Sequence, residues 1–392
     1  MTPSDADVEL LWASAAPAPD PHRVATAARE ADVSSVLETA RGQRVGPLVL
    51  RALESVDVPL GPDGPVAVRD AAFRRAQAAV TLPLVLEHAV GRLHDAGFTP
   101  LVLKGAALAE RYPAPGLRPM DDVDLVLPPF QHDAAIEVLC AAGWSLASHS
   151  AIAQETGYDI PLVHPVAALP IELHWNLHRR TQRTNGVDAA RLWDERVEAT
   201  VGGWPAWGST PELELMALAT HAAKPFHVFN RMIWAVDIAV VAAAPGFDWD
   251  IVARRSVELR CRAAVAVALA MGRRLGADVP DELVSLPRFA RRTGALAPLL
   301  DPRWPFVAAT AHRSSLAMAL VDDGPARARL AVDEVLHPEG QRSHVQAAGA
   351  LLLSAARLGR RVAVSRRAGP PPPTSPSRGG GALAGGPRSP AR

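Results

Sequence analysis

Residues 122–127 of this 392-residue chain read Asp-Val-Asp-Leu-Val-Leu, and Pro128-Pro129 stops the run. Such a short apolar segment bounded by prolines reads as a buried strand. Alternate strand residues point to the same face, so Asp122 and Asp124 project together while Asp121 points the other way, as a supporting or structural residue. Two carboxylates held side by side repel unless a cation or a proton sits between them. Magnesium suits such a pair, because it favours carboxylate oxygens and keeps positions for water and phosphate. An acidic pair alone also fits a solvated turn, so its surroundings decide.

Two neighbours add weight. Upstream, Thr99-Pro100 opens a short strand, Leu101-Val102-Leu103, which runs into Lys104-Gly105 and the helix-favouring stretch 106–111. A glycine there lets backbone approach a phosphate, and a following helix aims N–H groups at it. Downstream, Glu172 and His174 alternate on a strand candidate, 171–175, which pairs as a hairpin with the candidate 158–164. Pro161 restricts that partner to an edge. Three carboxylates from two strands beside a phosphate-gripping turn suit two-metal phosphoryl or nucleotidyl transfer. His174 reads either as a substrate contact or as a satisfied structural histidine. Lysine usage adds one more pointer: only Lys104 and Lys224 are lysines among 41 basic residues. A surviving lysine can mark a place where a guanidinium does not fit, or simple chance.

Elsewhere the pattern is helical. Residues 1–75 form a helical N-terminal region, 76–200 hold the strands, 201–364 form a helical C-terminal domain, and the Pro/Gly/Arg-rich tail 365–392 has little to bury and reads as disordered. The stretch 71–96 reads as one or two helices ending at Gly97. Asp237, in an apolar helix, requires a partner, and Arg231 or a backbone donor is the expectation. Trp204-Pro205-Ala206-Trp207 reads as loop and packing, His178-Arg179-Arg180 as a solvated basic run, and 341–361 as an amphipathic, Arg-bearing segment with a membrane surface as one option.

Bulk properties narrow the class. Lys+Arg 41 balances Asp+Glu 41, which argues against a dedicated nucleic-acid binder. Cys140 and Cys261 match no metal-ligand spacing, and so few cysteines point to a reducing cytoplasm. No secretory leader is evident in Met1–Asp7, and no charge-free run is long enough to span a membrane.

Taken in order, Leu103-Lys104-Gly105-Ala106-Ala107-Leu108, Tyr112-Pro113 and 117–126 resemble the core motif of the poorly characterised bacterial nucleotidyltransferase family within the polymerase-β-like superfamily. Ile171-Glu172-Leu173-His174-Trp175 resembles its third motif, and His221-Ala222-Ala223-Lys224 with Arg231, Trp234 and Asp237 its helical segment. The resemblance implies an α+β fold: a polymerase-β-like nucleotidyltransferase core with a mixed β-sheet, flanked by N-terminal and C-terminal helical regions. It implies Asp122, Asp124 and Glu172 as catalytic and metal-binding residues, holding two Mg²⁺ or Mn²⁺ ions. Lys104, Gly105, Arg118, His221 and Lys224 would bind the NTP, ATP among the candidates. Lys104-Gly105 stands where the superfamily more often has Gly-Ser or Gly-Gly. Arg118 would either meet a phosphate or lock the aspartate loop. The implied reaction moves an NMP from an NTP to an unidentified acceptor. The rival readings are a non-catalytic binding descendant and a phosphotransferase or tailoring enzyme on the same scaffold.

Overall fold

The computed structural model describes residues 3–56, 58, 64–147, 158–167, 169–178, 182–225, 227–284, 296–306 and 313–336. The tail from 365, the stretch 341–361, Arg179 and Arg180 lie outside them. The first four helices are short and individually stopped: α1 (Asp5–Ser14), α2 (Pro21–Ala28), α3 (Val33–Gly42) and α4 (Gly46–Glu54). Ser4 and Asp7 form a reciprocal cap on α1, while Asp20 and Asp32 cap α2 and α3. The long α5 (Gly64–Leu86) passes through a π turn into α6 (Arg92–Asp95). It ends where the sequence places its end, at Gly97, whose φ of 86° is a left-handed conformation that glycine adopts without strain.

Seven strands among the described residues make one mixed sheet: β1 (Leu101–Leu103), β2 (Val123–Val126), β3 (Ser145–Leu146), β4 (Asp159–Val163), β5 (Ile171–His174), β6 (Val197–Val201) and β7 (Trp204–Gly208), ordered β3-β4-β5-β2-β1-β7-β6. β1 and β2 are antiparallel neighbours, and β5 lies parallel to β2. The β4–β5 hairpin forms, but β4 is not an edge strand, because β3 pairs with its far end. Pro161 is tolerated because its carbonyl faces β3 and accepts from Ala147 N–H. Its missing N–H lies on that same side, where β3 is only two residues long. The loop expected at Trp204–Trp207 is also corrected. It is strand β7, joined to β6 by Gly202 and Gly203, whose φ values of 59° and 82° make the tight turn that two glycines permit.

Alternation divides the sheet into two faces. Val102, Val123, Leu125, Ile171 and Leu173 pack with Val85, Leu86, Ala135 and Leu139, the last two from α8 (His132–Ala141). Leu101, Leu103 and Val126 face the opposite way, into a core shared by α1–α4 and the C-terminal helices. Those helices follow α9 (Ala189–Asp194) as α10 (Pro211–Ala222), α11 (Met232–Ala242), α12 (Trp249–Glu258), α13 (Arg262–Arg274), α14 (Asp281–Val284), α15 (Arg313–Leu320) and α16 (Gly324–Leu336). α11 is apolar apart from Asp237 and buried from Met232 to Val241, as a helix packed between α10 and α13 must be. By register, Asp124, Glu172 and His174 belong to the face turned toward these helices. No helix among the described residues is long and apolar enough to cross a membrane.

Candidate active site

Parallel pairing of β2 with β5 sets Asp124 opposite Glu172 and Val126 opposite His174. Ligand-capable atoms of Asp124, Glu172 and His174 all lie within 4.8 Å of one another. The cluster therefore includes the histidine that sequence reasoning left between two roles, while Asp122 stands just before β2, outside this set. The signal was present, since Glu-x-His on β5 has the same alternation as Asp-x-Asp on β2.

Asp124 is deeply buried, and its Oδ1 accepts from Lys104 Nζ at 2.6 Å and contacts His174 Nε2 at 2.7 Å. Burial alone would raise this carboxyl, but Lys104 and His174 hold it well below the usual range. Burial opposes the charge on Lys104, yet Asp124, Asp122 and Glu172 overcome it and keep the ammonium protonated. For His174 the same contest ends with a pKa raised to about 9 by its contacts with Asp124 and Glu172. Its Nε2 lies 3.4 Å from Glu172 Oε2, and its Nδ1 faces the Asn176 carbonyl at 3.2 Å. That second contact fixes the ring so that Nε2 points at the carboxylates.

Lys104 reaches Asp124 from the sharp end of β1. Its φ of 51° is left-handed, which costs a non-glycine residue about 1–2 kcal/mol and turns the strand directly into α7 (Lys104–Leu108). Asp122 lines the cleft beside Asp124, together with Arg44, Lys104, Gly105, Arg118, His221, His227, Arg231 and Trp234, around about 690 Å³ of open space. Burial and then the charge of Asp124 push the Asp122 carboxyl up to about 6.

The profile described as "Uncharacterised nucleotidyltransferase" matches residues 29–276, more than half of the chain. The chain belongs to that family. No curated protein and no solved structure matches it.

Within this family member, Arg118 is held by a buried aspartate. Its Nε and Nη2 donate to Oδ1 and Oδ2 of the fully buried Asp237, both at 2.8 Å, and the Tyr112 hydroxyl donates to Oδ1 at 2.6 Å. The expected Asp237–Arg231 pair is thereby corrected: Arg231 sits at the solvent end of α11, whereas Arg118 comes from the aspartate loop itself. Gly105 lines the cleft and also packs against Arg118. A Cβ there would stand 3.3 Å from the Arg118 guanidinium, so the glycine makes room for the lock.

His221 lies in the last turn of α10, whereas Lys224 falls in the turn beyond Ala222, so the shared helix face expected of them is corrected, although both line one inner pocket. His221 lines the carboxylate cleft and an inner pocket, while Lys224 lines the inner pocket with His174, His178, Ser209 and Glu214. Lys224 is buried, its Nζ 4.8 Å from the Tyr158 ring centroid, and burial and then Lys104 depress its pKa to about 7. Burial pushes His221 and His178 well below the usual histidine range, and His178 is a core residue rather than part of a solvated basic run. Buried Nε2 of His178, Oγ of Ser209 and Nδ1 of His221 have no hydrogen-bond partner, which fits a small polar occupant such as water.

Sequence reasoning missed Arg44. It follows α3 with a φ of 61° and pairs with Asp121, whose other oxygen lies 3.6 Å from Arg231. The two arginines lie 187 residues apart in sequence, and nothing local connects them.

The donor set fits a divalent cation. Asp124 and Glu172 offer the carboxylate oxygens that a hard divalent cation takes, and such a cation would displace the Lys104 ammonium from Asp124 Oδ1. Asp124 and Glu172 would be ligands, with Asp122 adjacent, and His174 would join them only on losing the proton that its carboxylate contacts hold.

Proposed function

We propose that the protein transfers an NMP from an NTP to the hydroxyl, phosphate or amine of a small-molecule or peptide acceptor. The observation that carries this reading is the acidic cluster on β2 and β5, placed in register inside a nucleotidyltransferase family match. In the reaction the acceptor atom bonds to the α-phosphorus, the bond from that phosphorus to the α–β bridging oxygen breaks, and pyrophosphate leaves with the electron pair. The acceptor proton passes to Glu172 or to water. Glu172 is the most exposed of the three clustered groups, at 30% of its side chain, so a proton can reach it and leave again. When bound, divalent cations would polarise the α-phosphate and acidify the acceptor. Asp122, Asp124 and Glu172 would hold them, as the resemblance to the polymerase-β-like superfamily implies. Lys104 keeps Asp124 ionised, and the Arg118–Asp237 lock holds the loop that carries Asp122.

One observation favours a second reading. Asp124 already has two internal cationic partners, Lys104 and His174, which a non-catalytic binding descendant would retain as a metal-free structural cluster. An NTP labelled at the α- or the γ-phosphorus, incubated with the protein, Mg²⁺ and a fractionated metabolite and peptide extract, separates the readings. Label carried from the α position only, and lost in Asp124→Asn, is the expected result. Label carried from the γ position would make it a phosphotransferase, and no transfer from either would favour the binding descendant.

A further inference from the structure

Most cationic groups on the carboxylate cleft are already committed. Lys104 is bound to Asp124, Arg118 is bound through two nitrogens to the buried Asp237, and burial keeps His227 neutral by lowering its pKa to about 3. Arg44 and Arg231 differ. Among the described residues the ion partner of both is Asp121, whose side chain is 49% exposed, and such an exposed pair contributes little to stability. An anion can displace it at small cost.

The two arginines are nevertheless built into place. Gln43, next to Arg44, accepts from Met232 N–H at 2.8 Å through Oε1 and from Ile233 N–H at 3.3 Å through its own carbonyl. Its Nε2 donates to the Pro305 carbonyl at 2.7 Å. The turn after α3 is therefore bolted to the first residues of α11, and Arg44 is held beside Arg231. The Arg231 guanidinium lies over Trp234, 6.0 Å from the ring centroid. Both side chains border the same cleft as Asp122 and Asp124.

We infer that Arg44 and Arg231 form the seat of a phosphate chain, with Asp121 holding the two guanidiniums in its absence. Guanidinium forks match phosphate oxygens, and two of them at the rim suit a chain of phosphates running from the carboxylates outward. The chain is the β,γ-diphosphate of an NTP or a free polyphosphate. The first option rests on the nucleotidyltransferase reading and the second does not.

Calorimetric titration with Mg²⁺ of wild type, Arg44→Gln, Arg231→Gln, the double variant and Asp121→Asn tests it, using each NTP, its NMP and inorganic tripolyphosphate. Thermal melts check that each variant is folded, and these partly exposed side chains are removable without touching the core. Each arginine removed is expected to weaken NTP and tripolyphosphate by about 10-fold while leaving NMP unchanged. Asp121→Asn is expected to tighten tripolyphosphate, because it removes the competing carboxylate; a purely structural Asp121 would not produce that gain. Unchanged NTP and tripolyphosphate binding in the folded double variant would overturn the inference and leave nucleotidyl transfer standing, and so would an equal loss of NMP. Tripolyphosphate binding that depends on the arginines, without binding of any NTP, would uphold the phosphate seat and overturn the nucleotidyl reading. A wild type that binds neither would overturn both.

Discussion

The two walls of the cleft are made differently. The strand wall presents Asp122 and Asp124 to the cleft, with Asp124 clustered against Glu172 and His174 of the adjacent parallel strand, where a spacing of two along the chain becomes a shared face in space. The helical wall, with Arg44, His221, His227, Arg231 and Trp234, is gathered from helices and the turns between them, whose packing no local pattern specifies. Two buried aspartates show the contrast. Asp124 shares Lys104 and His174 with the neighbouring carboxylates Asp122 and Glu172, three acids to two cations, whereas Asp237 is fully satisfied by Arg118 and Tyr112 with no other acid hydrogen-bonded there. Unbalanced negative charge marks the wall that can take a cation, and balanced charge marks the one that holds the scaffold.

Breaking the balanced side is expected to have the largest effect. Asp237→Ala strands the Arg118 guanidinium, itself nearly buried, and should lower unfolding free energy by about 3–5 kcal/mol in denaturant titration. A loss below about 1 kcal/mol would mean that the pair is not structural. The unbalanced side should respond in the opposite direction. Asp122 has a folded-state pKa of about 6, above its ordinary 3.8, so the folded protein binds more protons between those values and its stability falls as pH rises through them. Asp122→Asn removes that penalty and should stabilise the metal-free protein by about 1–2 kcal/mol at neutral pH. A destabilised variant would show that Asp122 is not under repulsion.

A smaller effect belongs to the inner pocket. Lys224 titrates near 7 when folded and near 10.5 when unfolded, so the unfolded chain binds more protons across that interval and stability rises with pH there. Lys224→Met should flatten this part of the stability–pH profile, and an unaltered slope would mean that the ammonium is not desolvated.

Much of the strand wall was legible because it is local. Asp-x-Asp, Glu-x-His, the stop at Gly97 and the β4–β5 hairpin each follow from a period of two or from one turn residue. The β6–β7 hairpin carried an equally local sign, Gly202-Gly203 between Val201 and Trp204, but the prolyl and indole side chains of 204–207 read as packing. Long-range partners carried no such sign. The Arg118–Asp237 lock spans 119 positions and the Gln43–Met232 bond 189, so charge pairing on the helical wall depends on tertiary packing. Gly105 shows the same limit: the glycine was visible, while the guanidinium stacked against it was not.

Calorimetric binding of each NTP, with and without Mg²⁺, to wild type and to the Asp122→Ala/Asp124→Ala double variant tests the site most directly. Metal-dependent binding in wild type, abolished in the variant while both remain folded, is the predicted result. Binding that needs no metal, or that survives in the double variant, would contradict a metal-dependent nucleotide site built on these carboxylates.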